Sequence, residues 1–143
     1  MKLPLLLTTL ILTASPAFAD DLLYLQCKGE LTSMVTNTET SEVIEKNKGK
    51  HSKTYMLDRE RRRMMSKGGQ WLNAEIIDGV VTSSGKTGQG FRSTEETVRI
   101  SISPVSEYAY QQSIKQGRIS VAIDATGTCE EIDASTFTNG VKQ

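Results

Sequence analysis

The sequence predicts an all-β, mainly antiparallel fold, a small single-domain barrel or sandwich of about 7–8 strands with one short surface helix and one disulfide. Three observations carry this. Apolar and polar residues alternate in Leu23-x-Leu25-x-Cys27, Val98-x-Ile100-x-Ile102 and Ile119-x-Val121-x-Ile123, as they do in a strand with one face on a core and one in water. Asp78-Gly79 stands between the apolar pairs Ile76-Ile77 and Val80-Val81, which favours a two-residue type I′ hairpin because both central residues need φ > 0. Two cysteines, Cys27 and Cys129, lie near the two ends of the chain.

These patterns place strands near 22–34, 53–58, 62–67, 70–77, 80–84, 91–103, 118–124 and 128–132. Residues 35–52 are polar without sustained periodicity and read as a long loop or ragged hairpin. The stretch 85–90 (GKTGQG) reads as a flexible loop, and Asp124-Ala125-Thr126-Gly127 as a turn. Between strands, Ser103 as cap, Pro104 at the first helical position and Gly117 as terminator outline the short surface helix.

At the N-terminus, Lys2, an apolar stretch from Leu3 to Leu12 and the small-x-small triplet Ala17-Phe18-Ala19 have the form of a cleaved secretory leader. The apolar stretch is too short for the ~20 residues of a membrane-spanning helix. Residues 1–19 are therefore expected to be removed after Ala19, leaving a single β domain over 20–133 and a frayed tail over 134–143. The expected address is periplasmic or secreted, with no transmembrane segment in the mature chain. In such an oxidising compartment, two cysteines without C-x-x-C spacing or a His/Cys cluster read as a structural disulfide, Cys27–Cys129. Closing a loop of about 100 residues contributes up to about 4.7 kcal/mol by chain entropy. It would tie the first strand to the last.

Charge and residue inventory exclude several function classes. The 143 residues carry 17 basic and 17 acidic side chains, without the strong basic excess usual in nucleic-acid binders. His51, the only histidine, sits in Lys50-His51-Ser52-Lys53 within the expected loop and reads as solvated, with no orienting partner for base catalysis. One histidine and two oxidised cysteines leave no metal-ligand set, and no cofactor is expected. Glu95-Glu96 and Glu130-Glu131 are adjacent on strands and point to opposite faces, so neither forms a catalytic pair. Gly85-Lys86-Thr87 lacks the upstream glycine of a phosphate loop, position 80 being Val.

Charge is unevenly distributed along the chain. The segment 46–67 holds nine basic residues against Asp58 and Glu60, a net +7, while 20–45 carries −5 and 68–143 carries −3. A cluster of this kind attracts anions, and guanidinium groups bind carboxylate and phosphate bidentately. Arg59, Arg61, Arg62, Arg63, Lys53 and Lys67 are the candidate binding residues. A solubilising hairpin facing the protein's own acidic segments is the alternative reading of the same residues. Tyr108 and Tyr110 beside the 85–90 loop offer a second contact surface, but the preferred reading is that Tyr108 packs the helix onto the barrel and Tyr110 snorkels.

Tyr24-Leu25-Gln26-Cys27, in a small exported β domain with one disulfide, resembles the periplasmic lysozyme inhibitors in general appearance. The Ser-Gly-x-x-Tyr signature of that family is not met, because Ser84-Gly85 is followed by Gly88 at the tyrosine position. Gly69-Gln70-Trp71 matches the G-x-W fragment of lipocalin-like proteins, which lies there on the first strand and here in mid-chain; Trp71 reads as a core or rim aromatic.

The expected function is accordingly that of an exported, non-catalytic binding or accessory module for a protein or anionic envelope partner, inhibitor-like in character. The alternative is a small-ligand carrier with a barrel-mouth site lined by inward residues such as Leu25, Ile100 and Val121. A hydrolase would need two carboxylates converging within ~10 Å at the barrel mouth. Oligomeric state is left open.

Overall fold

The computed structural model describes residues 22–139; the leader reading over 1–19 and the last residues of the tail lie outside the described residues. Eight strands follow one another around a closed antiparallel barrel: β1 (Leu22–Asn37), β2 (Val43–Asp58), β3 (Arg63–Ser66), β4 (Leu72–Ile77), β5 (Val80–Thr87), β6 (Arg92–Ile102), β7 (Val105–Gln116) and β8 (Ile119–Glu131). Closure comes from β8 pairing with β1, from Leu25↔Glu131 to Asn37↔Ile119. A short helix, α1 (Ala134–Asn139), follows. Among the described residues no helix is long and apolar enough to cross a membrane.

The disulfide joins Cys27 to Cys129 as directly opposite residues of β1 and β8, with Cα atoms 4.0 Å apart. It thus fastens the first strand to the last. The next opposite pair on the same, inner face is Gly29↔Gly127. A Cβ on either would collide with the facing backbone, at Thr126 from one side and at Lys28 and Gly29 from the other. Gly127 is therefore a glycine because two strands meet closely, not because the chain turns. This corrects the turn expected at 124–127: the two strands expected at 118–124 and 128–132 are one, β8.

The other corrections have equally local causes. Residues expected to form the surface helix after Ser103 are β7; Ser103-Pro104 makes the β6–β7 turn, with a cis peptide bond. The cap, proline and terminating glycine that outlined a helix are instead residues of the turns at the two ends of β7, and a register irregularity between Ile100 and Ile102 sets Val105 out of phase with Tyr108. The helix that does form lies in the tail expected to fray. Its Phe137 is buried and its ring packs 5.5 Å from that of Tyr24 on the outer face of β1. Of the two readings of 35–52, a long loop or a ragged hairpin, the hairpin is the one that forms, as the far part of the long β1–β2 pair. Of 85–90, residues 85–87 belong to β5. The Asp-Gly hairpin forms as expected, with φ of 50° at Asp78 and 74° at Gly79 and Ile77 opposite Val80.

The barrel is filled over only part of its length. Leu23, Leu25, Leu57, Met64, Val81, Val98 and Ile100 pack with the disulfide in one end, which the tight β2–β5 meander closes. Because β3 and β4 are short, β3 borders β2 only at positions 55–58, and β4 borders β5 only at 80–83. Strands β1, β2, β6, β7 and β8 run on past them. The result is a closed, packed half continuous with an open trough that lacks a wall between β2 and the end of β5.

Candidate functional site

Opposite residues of an antiparallel pair share a face, so the register names the trough's lining. Cys27 faces inward, and its β2 partner is Lys53; Gly29 faces His51, and Leu31 faces Gly49. On the far wall, Val98↔Tyr110, Glu96↔Gln112 and Thr94↔Ile114 continue the inner face. Where the packed core ends, these positions bring a ring of polar and aromatic groups together from β2, β6 and β7.

The ring has two linked parts. Tyr108 Oη lies 2.7 Å from Tyr55 Oη and 2.8 Å from His51 Nε2. The His51 ring stacks on Tyr110 at 4.8 Å and on Tyr108 at 5.7 Å. Beside it, Lys53 Nζ donates to Glu96 Oε1 at 3.4 Å and to Tyr110 Oη at 3.3 Å, and sits 4.5 Å from the centre of the Tyr110 ring. Tyr55, Tyr108 and Tyr110 are buried, whereas the Lys53 and Glu96 side chains keep 30% and 26% exposure and so face the trough.

Electrostatics fix the protonation states. Burial pushes all three phenols above their ordinary range, so they stay protonated donors. Burial, reinforced by the Lys53 ammonium and opposed by Glu96, lowers the His51 pKa, which keeps the imidazole neutral at pH 7. With Nε2 as acceptor, the two contacts run as a single directed chain: Tyr55 donates to Tyr108, and Tyr108 to His51. His51 is therefore a member of the trough floor rather than the solvated loop residue expected. The chain holds its protons tightly and orients the rings; what it offers a ligand is the Lys53–Glu96 pair and the edges of His51 and Gln112.

The six basic candidates are dispersed to three places. Arg59, Arg61 and Arg62 are exposed on the β2–β3 turn, at the closed end. Asp58 anchors that turn, accepting from Arg61 N–H at 3.1 Å and Arg63 Nε at 3.3 Å, and the Arg63 guanidinium lies 4.1 Å over the Trp71 ring. Trp71 is accordingly a rim aromatic. Lys53 points into the barrel, and Lys67 starts the β3–β4 turn, its N–H donating to the Thr54 carbonyl at 2.9 Å. The Arg cluster and the two lysines do not form one patch.

The same run does assemble another. Lys46, Lys48 and Lys50 stand at alternate positions of β2, opposite Met34, Thr32 and Glu30 on the outer face. All three are exposed, and none forms an ion pair among the described residues. The i, i+2, i+4 spacing was visible in Lys46-Asn47-Lys48-Gly49-Lys50, but only a strand turns it into a row. Glu95 and Glu96 do separate to opposite faces, Glu95 pairing with Lys86 at 2.8 Å outside and Glu96 with Lys53 inside. No group of three or more His, Cys, Asp and Glu side chains among the described residues could hold a metal ion.

The mouth of the trough, between the β5–β6 and β7–β8 turns, holds a cleft of about 750 Å³ lined by Phe91, Ile114, Ile119 and Val121. Phe91 is 70% exposed. Of the inward residues expected to line a carrier cavity, Leu25 and Ile100 are fully packed in the closed half, and only Val121 reaches this cleft.

Fold and site together define a half-filled, up-and-down β-barrel with a polar floor and an open side. No protein family, curated protein or solved structure matches the chain.

Proposed function

We propose that this protein is an exported, non-catalytic binding module that holds another protein through the open half of its barrel. The missing wall between β2 and β5 is the observation that carries the reading. A small-molecule site encloses most of its ligand's surface. Here the enclosed half is filled by side chains, and the unfilled half is open along one side. Such a trough suits a partner that brings its own backbone and covers the opening. The disulfide fits an oxidising compartment and holds the β1–β8 seam while the partner binds at the opposite side of the barrel.

The apolar cleft at Phe91, Ile114, Ile119 and Val121 favours a second reading, a small-ligand carrier with its site at the mouth. Native mass spectrometry of the mature protein, purified gently from its own envelope fraction, separates the two. A second protein mass retained at low salt and shed at high salt is the expected result. An adduct of a few hundred daltons, lost on Phe91→Ala with Ile119→Ser, transfers the function to the mouth. A bare monomer at low salt counts against both.

A further inference from the structure

We infer that the free edge of β2 is a docking site for an acidic, extended segment of a partner protein, which adds to the barrel as an extra antiparallel strand. The inference deepens the binding-module reading and rests on it. Its first support is unsatisfied backbone. The last β2 group used on this side is the Thr54 carbonyl, which accepts from Lys67 N–H. Strand geometry repeats every two residues, so the N–H and C=O groups of Ser52, Lys50, Lys48 and Lys46 point the same way. None of these has a strand beside it, since β3 ends at Ser66. Residues 43–53 span roughly 33 Å at ~3.3 Å per residue, enough for a ladder of up to about ten residues.

The second support is space. A Cβ built on Gly49 meets nothing within 4 Å, and a pocket lined by Ser52, Thr54, Lys67 and Gly69 lies at the foot of the edge. An added strand therefore has room for its inward side chains over the trough and a recess for its end.

Charge then selects the occupant. Residues whose backbone faces the free edge are the same ones whose side chains form the exposed row Lys46, Lys48, Lys50. An incoming strand places every second side chain directly opposite that row, on the outer face. Carboxylates there are favourable and like charges unfavourable. The acids around this row are Glu30 opposite Lys50 on β1, Glu45 on β2, and Asp124 on β8, which lines an outer-face cleft together with Lys46 and Lys48. None makes an ion pair with these lysines, and Glu45 instead accepts from the Asn47 side chain at 2.7 Å. Lysines along an edge also oppose its pairing with a second copy of itself, because antiparallel β2–β2 pairing would set lysine row against lysine row. The edge thus rejects self-association and admits a segment with Asp or Glu at alternate positions.

The test uses the intact mature protein and three ten-residue peptides: one alternating Glu with Val or Thr, one of the same composition with its acids consecutive, and one alternating Lys with Val or Thr. The alternating acidic peptide should bind, by fluorescence anisotropy, at least tenfold tighter than the others. It should slow amide exchange at Lys46, Lys48, Lys50 and Ser52. Lys46→Glu with Lys48→Glu and Lys50→Glu should reverse the preference to the basic peptide without changing the melting temperature by more than a degree or two. N-methylation of alternate peptide amides should abolish binding in one phase and spare it in the other, which a diffuse charge patch would not do. Equal tolerance of both methylation phases, or no protection at those four amides, overturns the inference. If the triple Glu variant still retains the natural partner in native mass spectrometry, the module binds elsewhere; this inference falls and the binding reading stands. If the wild type retains no partner but binds the acidic peptide, strand addition stands and the proposed role needs revision.

Discussion

Replacing Tyr108 by Phe removes the central hydroxyl of the trough floor, and its cost follows from how its two neighbours differ in exposure. Tyr55 is 1% exposed, so its hydroxyl, deprived of Tyr108 Oη, cannot reach water. An orphaned buried hydroxyl costs about 1–3 kcal/mol. His51 is only half-buried and can recover water, so losing its 2.8 Å contact costs about 0.5–1.5 kcal/mol. Tyr108→Phe should therefore destabilise by about 2–4 kcal/mol, a fall of roughly 8–15 °C in melting temperature for a domain of this size. Tyr55→Phe leaves the Tyr108–His51 contact intact and should cost about 1 kcal/mol. In the double variant no buried phenol is left without a partner, so Tyr55→Phe should partly rescue Tyr108→Phe. The double variant should be about 1–2 kcal/mol better than the sum of the singles, well outside additivity error. Urea denaturation of the four proteins measures this, and an additive double variant would refute the directed chain.

Two further outcomes concern the same walls. Gly127→Ala pushes a methyl into the Lys28–Gly29 backbone, which cannot yield as a side chain can, and should destabilise by about 1–3 kcal/mol. Gly49→Ala meets open space and restricts only the unfolded chain, so it should stabilise by about 0.4–1 kcal/mol; equal effects at the two glycines in urea melts would contradict the closed-and-open architecture. For His51, the folded pKa lies below the unfolded value of 6.5, so acid favours the unfolded chain. Its contribution is full above about pH 6.5 and is lost as pH falls toward the folded pKa. His51→Gln should flatten the decline of melting temperature between about pH 7 and 5, and an unchanged slope would place the imidazole in solvent.

How far the fold was legible in the sequence depended on where a core existed to impose a pattern. The packed half was readable: Leu23, Leu25 and Cys27 alternate because Gln26 and Tyr24 face outward, and Asp78-Gly79 announces its own turn geometry. Errors fell where a residue's identity had a cause other than the local one assumed. Gly127 was required by the facing strand, Val105 was displaced by an irregular register, and Phe137 was held by Tyr24 at the far end of the chain. None of these causes is visible within a window of neighbouring residues.

The trough is the hardest case, and for a related reason. In β2 above Tyr55, the inner face carries Lys53, His51, Gly49 and Asn47, and the outer face carries Ser52, Lys50, Lys48 and Lys46. Both faces are polar because one lines an open space and the other meets solvent. No alternation survives, and a strand of this composition is indistinguishable from a loop by periodicity alone. The shortness of β3 and β4 causes all of this. It opens the side of the barrel, removes the pressure for apolar residues on the inner face, and leaves the β2 backbone without a neighbour. Lysine then becomes the residue that keeps such an edge from pairing indiscriminately. The basic run that the sequence offers as a surface patch is thus, in its first part, the consequence of a missing wall. Its later arginines belong to a different structure, the Asp58-anchored turn at the closed end.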